Sequence, residues 1–251
     1  MTYDGLEAFA YSQYEPCNIN QVVGADTLFT YIFNLAPMNR KGRISERQRE
    51  YLRQKEIEKG RYDPKAIRWT TGAILRELVK MNRQKPFVFR SDQHFQYRRA
   101  IERDLTEDER NQITHRTVSS KDCRNYKNIL FSVNHLDLLI RRKVAAFTRE
   151  TICFSKKASS LLEKYILFIC YKNYMKPCFT KCQKRNPDAN IKSPAMQLGL
   201  VEKILTFWEL FRFRNPKPKI EDLPLDWAFT MRGESAYVRS KEFLKEQEIA
   251  T

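Results

Sequence analysis

Asp4, in the run Thr2-Tyr3-Asp4-Gly5-Leu6-Glu7-Ala8-Phe9, and Asp92, which ends Phe87-Val88-Phe89-Arg90-Ser91-Asp92, are the residues of this sequence best placed for chemistry. Each follows or interrupts a β-type apolar run, and open α/β sheets hold their ligands at the carboxyl ends of strands. Two such acids on separate strands would share a divalent cation, since hard cations take oxygen ligands. Blander roles compete. Asp4 alone reads as a solvated strand-end acid, and Asp92 as a helix N-cap that Ser91 could equally supply. Asp26 reads as a turn residue and is the alternative first aspartate if the strand register differs. Glu7 reads as an outward strand residue. His94, His115 and His135 are too scattered for a zinc centre, although His135 stands beside Asn134 at the start of a helical segment. Cys178 and Cys182, four apart, have no second Cys or His pair at finger spacing.

The bulk composition names a class of partner. Lys and Arg number 46 against 30 Asp and Glu in 251 residues, a formal charge of +16. A field of that sign attracts polyanions, of which nucleic acid is the commonest. With 42% hydrophobic and 12% aromatic residues, the chain has the material for a packed core. The six cysteines show no CxxC and no regular framework, which reads as reduced thiols in an intracellular, cytoplasmic protein. The most apolar stretch, Tyr165 to Tyr171, falls far short of the roughly 20 residues of a membrane span.

The elements that must position the two acids can be read from periodicity. Thr2 to Tyr11, Ile19 to Ala25 and Thr27 to Leu35 predict three strands in a row, with a turn at Gln13 to Asn18 and Asp26 at the next bend. Arg40 to Arg61 is almost wholly charged or polar and predicts an exposed basic helix or mobile insertion with Ser45 as N-cap. Asp63-Pro64 predicts a helix start with Pro at its first position, and Ile67, Thr71, Ile74, Leu75 and Leu78 carry helical spacing to Met81. Pro86 to Phe89 predicts the strand that delivers Asp92, Gln96 to Arg103 a helix, and His115 to Ser119 a fifth strand. From Val133 a helix carries an apolar stripe of Leu136, Leu139, Ile140, Val144 and Phe147, with Asn134, Asp137 and Arg141 on another face. Ala158 to Met175 predicts a long helix and Val201 to Phe211 a short one; Trp69 and Trp208 read as core or interface packing, Glu150 as an ion-pair partner, and the segment from Pro216-Lys217-Pro218 onward as peripheral. Three strands followed by strand and helix alternation predict an α/β fold with a mixed sheet.

That element order, with acids on the first and fourth strands, is the ribonuclease H-like arrangement: five strands, β1-β2-β3 antiparallel, then β4 and β5 parallel to β1, flanked by helices. Four stretches resemble the DDE transposases of bacterial insertion sequences. They are Tyr3 to Phe9 followed by Glu15-Pro16; Ser91 to Ile101; Val133 to Arg142 continuing through Arg149 to Lys156; and Ser193 to Leu200. The resemblance spans most of residues 3 to 210 and is more specific in the last three stretches.

The resemblance implies that residues 1–180 form the catalytic domain, with the charged helical insertion at 40–62, and residues 181–251 a C-terminal helical extension and tail. It implies that Asp4 and Asp92 are the first two metal-binding aspartates, for Mg2+ or Mn2+. The third acidic position falls on Asn134, a departure from the usual Glu. An Asn carbonyl can ligate a cation or orient a water but cannot act as a general base. Asp137, one helical turn later, could reach the same site, and Asn134 or His135 would complete the cage or position the nucleophile. Phosphodiester attack builds negative charge on both attacking and leaving oxygens, and two Mg2+ ions about 4 Å apart stabilise both. Arg98, Arg99, Arg141, Arg142, Lys143, Lys156 and Lys157 would then neutralise DNA phosphates. The implied activity is DNA cleavage and strand transfer by a nucleoid-associated homo-oligomer on paired ends. Only three residues precede Asp4, which implies a truncated copy without a DNA-recognition domain. A nuclease or resolvase of the same fold, or an inactive DNA-binding remnant, are the alternatives.

Overall fold

The computed structural model describes residues 1–83, 85–119, 121–149, 151–178, 191–212 and 239–244. Its centre is a five-stranded mixed sheet in the order β3-β2-β1-β4-β5. Strands β1 (Thr2–Phe9), β2 (Pro16–Val23) and β3 (Thr30–Pro37) form an antiparallel meander. Strand β4 (Phe87–Asp92) joins β1 in parallel, and β5 (Ile113–Val118) joins β4 in parallel. This is the ribonuclease H-like order expected from the sequence.

Side chains alternate across a strand, so β1 serves two cores. Leu6 and Ala8 point to one face, where they pack with Ile19, Leu136, Ile140 and Tyr165. Those partners come from β2, from α5 (Phe131–Lys143) and from α6 (Ala158–Cys170). Tyr3 points to the other face with Phe89, Leu75 and Leu78, and with Tyr97, whose ring meets it edge-on at 4.8 Å. That face is covered by α2 (Ala66–Met81) and α3 (Phe95–Asp104), and Tyr3 is fixed there by a 2.6 Å hydroxyl bond to Thr71. Thr2 and Asp4 share the α5 face with Leu6, and the Thr2 and Ser132 hydroxyls, 2.6 Å apart, pin the first turn of α5 over β1.

Several sequence expectations shift. Pro16 opens β2 instead of lying in a turn, and Pro64 precedes α2, whose first residue is Ala66. The charged helix α1 (Glu46–Lys59) has the predicted Ser45 cap, completed as a capping box with Gln48, but it is docked. Buried Glu15, just before β2, takes Lys55 Nζ at 2.5 Å, the Tyr62 hydroxyl at 2.5 Å and Arg239 Nη2 at 2.7 Å. Burial pushes the Glu15 carboxyl up, yet these three donors together hold it below the usual range. The ion pair of Lys55 with buried Glu15 anchors the helix, of which Leu52 and Glu56 are also buried. Trp69 and Trp208 are 47% and 73% exposed, so neither is core. The long helix runs as α6 and then a π turn at Tyr171–Met175, where the Asn173 amide pairs with both Thr30 N–H and C=O.

Between β4 and β5 lie α3 and the short α4 (Glu107–Asn111). Beyond residue 190 the described residues form α7 (Pro194–Gln197), α8 (Phe207–Arg212) and a bridge from Ser240 to Arg61. The expected helix around Val201 to Phe211 is thus displaced to α8. Glu150, Cys182, Phe213 and Pro216 to Pro218 lie outside the described residues, as does most of the expected 181–251 extension. Among the described residues, no helix is long and apolar enough to cross a membrane.

Candidate active site

Register decides whether Asp4 and Asp92 meet. Thr2 pairs with Arg90 across the parallel β1–β4 boundary. Asp4 and Asp92 each stand two residues further on, so they share a face on neighbouring strands, whose spacing is about 4.8 Å. Both line a small cleft with Asn134 of α5 and with Asp122, Arg124 and Asn128 from the loop after β5. Its volume, about 20 Å3, suits one small occupant, since a single water needs about 10–15 Å3.

Asp92 is held by the backbone of its own turn: His94 N–H donates to Oδ1 at 2.9 Å. This corrects the N-cap alternative, because His94 is the cap residue of α3 and no side chain caps that helix. Asp4 Oδ1 accepts from Gly5 N–H at 2.8 Å. Burial, then the charges of Asp137 and Asp92, push the Asp4 carboxyl up to about 7, against weaker pulls from Gly5 N–H and Arg124. Crowded carboxylates with so little compensating charge are what a divalent cation relieves. The oxygen donors lining the cleft, the carboxylates of Asp4, Asp92 and Asp122 and the side-chain amides of Asn128 and Asn134, are of the type that suits Mg2+ or Mn2+. Among the described residues, no three Asp, Glu, His or Cys side chains are grouped closely enough to hold a metal ion.

Asp137 is a neighbour of this cleft but does not line it. Its carboxylate accepts from the Gln21 amide, whose oxygen in turn accepts from the Tyr165 hydroxyl. Gln21 is the β2 residue directly opposite Asp4, so the relay runs beside the first aspartate. Burial pushes Asp137 up to about 6 despite Arg141, the Gln21 bond, Arg124 and Arg149. His135 is also outside the cleft; its ring stacks on Phe131 at 5.5 Å, and burial together with Lys176 and Lys172 lowers its pKa.

The basic residues divide. Arg98 is in an exposed ion pair with Glu102 at 2.6 Å, and Arg99 lies over the Phe95 ring at 5.1 Å. Arg141, half-buried, donates to the carbonyls of Glu7 and Phe147, both at 3.3 Å. Arg142, Lys143, Lys156 and Lys157 are exposed, with Lys156 Nζ 4.4 Å from the Phe154 ring centre. Sequence reading missed Asp122, Arg124, Asn128 and Gln21. The first three sit on a loop whose return to the sheet has no periodic signal. Gln21 did carry one: it is a polar side chain in β2, all eight residues of which are buried.

Comparison with known proteins finds no matching family model and no curated protein that matches this chain.

Proposed function

We propose that this chain is a divalent-cation-dependent enzyme of DNA phosphodiester cleavage and strand transfer, a transposase working as a homo-oligomer on DNA ends. The observation that carries the reading is the register that sets Asp4 and Asp92 abreast on parallel strands, with Asn134 facing them from α5. Asp4 and Asp92 would hold the cation through their oxygens, and the Asn134 carbonyl would complete the set. A bound cation supplies Lewis-acid stabilisation of charge on the attacking and leaving oxygens. The His94 N–H and Gly5 N–H fix the two carboxylates, and the Tyr165–Gln21–Asp137 relay supports the floor beside Asp4. The +16 charge supplies the attraction for DNA.

The test is incubation with labelled duplex DNA and Mg2+ or Mn2+. Nicks bearing 3′-hydroxyls and joined products are expected, both lost in Asp4→Asn and Asp92→Asn; cleavage without joined products would instead indicate a nuclease or resolvase. A second reading, an inactive DNA-binding remnant, is favoured by the uncharged Asn134 and by the engagement of Asp137 with Gln21. It predicts tight DNA binding with no metal-dependent product.

A further inference from the structure

A second, much larger cleft of about 840 Å3 opens at the C-terminal end of β1 and shares no lining residue with the cleft of Asp4 and Asp92. Among the described residues, Arg40, Arg141 and Arg149 line it, with Glu7 the one acidic residue. Three aromatic rings line it as well: Phe9, Tyr14 and Phe154. Two of these rings already carry cations, with Arg40 5.3 Å from the centre of Phe9 and Lys156 4.4 Å from that of Phe154. Ile152, on the rim, is 89% exposed.

Phosphate alone would need only the cations, and an apolar ligand only the rings. Rings interleaved with guanidiniums are the platform on which unpaired bases stack while their phosphates are neutralised. Duplex DNA keeps its bases stacked on one another and cannot use the rings. The cleft is also placed to matter: Ala8, which lines it, is four residues past Asp4 on the same face of β1, about 13 Å along an extended strand.

We infer that this cleft binds an unpaired DNA strand, stacking bases on Phe9, Tyr14 and Phe154 and holding phosphates with Arg40, Arg141 and Arg149, so that the strand leads to the Asp4–Asp92 site. The inference rests on the reading of the chain as a DNA-processing enzyme but can fail separately from it. The experiment is fluorescence anisotropy on the full chain in EDTA, where the acid site takes no part. Labelled 12-nucleotide single strands and the matching duplex serve as probes, titrated over a range of salt.

The single strand is expected to bind at least several-fold tighter than the duplex. Phe154→Ala should weaken it about tenfold, with Phe154→Trp restoring it, as expected for loss and recovery of one stacked base. Arg149→Ala should reduce the slope of log affinity against log salt by about 0.7. Equal or tighter duplex binding, or single-strand affinity indifferent to both Phe154→Ala and Arg149→Ala, would overturn it. Melting curves of the variants identify any loss due to unfolding, and Phe154→Trp and Arg149→Ala then decide the matter. The binding measured in EDTA needs no metal-dependent product, so a failure of the cleavage reading leaves this result standing.

Discussion

Asp4 carries the sharpest expectations because its environment is so unfavourable to its charge. Its folded value near 7 lies above the ordinary 3.8, so between those limits the folded chain holds a proton that the unfolded chain has released. Its contribution to stability is therefore present below about pH 4 and is lost as pH rises through 7. In EDTA, Asp4→Asn should melt higher than wild type, and the gap should widen from pH 5 to pH 8. Mg2+ should narrow it by stabilising only wild type. A gap that does not change with pH would mean that Asp4 is not crowded. Asn134→Glu adds a carboxylate to the cleft and should tighten Mg2+ binding at least tenfold by calorimetry. Both aspartates were legible in the sequence because each sits in or at the end of an apolar run. Asp122 and Arg124 were not, since a loop residue's approach to a sheet is set by tertiary packing alone.

At the scale of elements, the site depends on how β1 is seated. A Cβ on Gly5 would fall 1.9 Å from Asn18 Nδ2, inside a buried ladder in which Asn18 donates to Asn20 and Asn20 donates to Asn34. Gly5→Ala should cost about 2–4 kcal/mol in denaturant unfolding, through a broken buried hydrogen-bond network. The docking of α1 is similarly local. Glu15→Ala leaves Lys55 and Arg239 facing each other without their shared carboxylate and should cost about 3 kcal/mol. Hydrogen exchange should then rise across residues 46–59, and unchanged protection there would show that Glu15 is not the anchor. The existence and type of the sheet strands and of helices α2, α3 and α5 followed from periodicity, and a helix at α1 followed from its helix-forming composition and Ser45 cap; their edges did not. Pro64 and Pro16 show why: proline is compatible with both a turn and an element's first residue, and only packing chooses.

For the whole molecule, charge and topology point the same way, to a sheet that brings two acids together within a chain of net charge +16. DNA affinity should fall steeply with salt, by about 0.9 in log–log slope for each duplex phosphate neutralised. A slope near zero would remove DNA as the polyanion. The overall fold was legible because strand and helix order restricts the sheet to few topologies. The cleft at the end of β1 was not, since its lining residues are spread from Glu7 to Phe154 and no local pattern joins them. The central claim is that Asp4 and Asp92 bind one divalent cation together, and titration calorimetry with Mn2+ tests it most directly. Wild type should bind one equivalent with saturating heat, and Asp4→Asn and Asp92→Asn should each bind at least tenfold more weakly. Equal affinity in all three proteins would contradict the account.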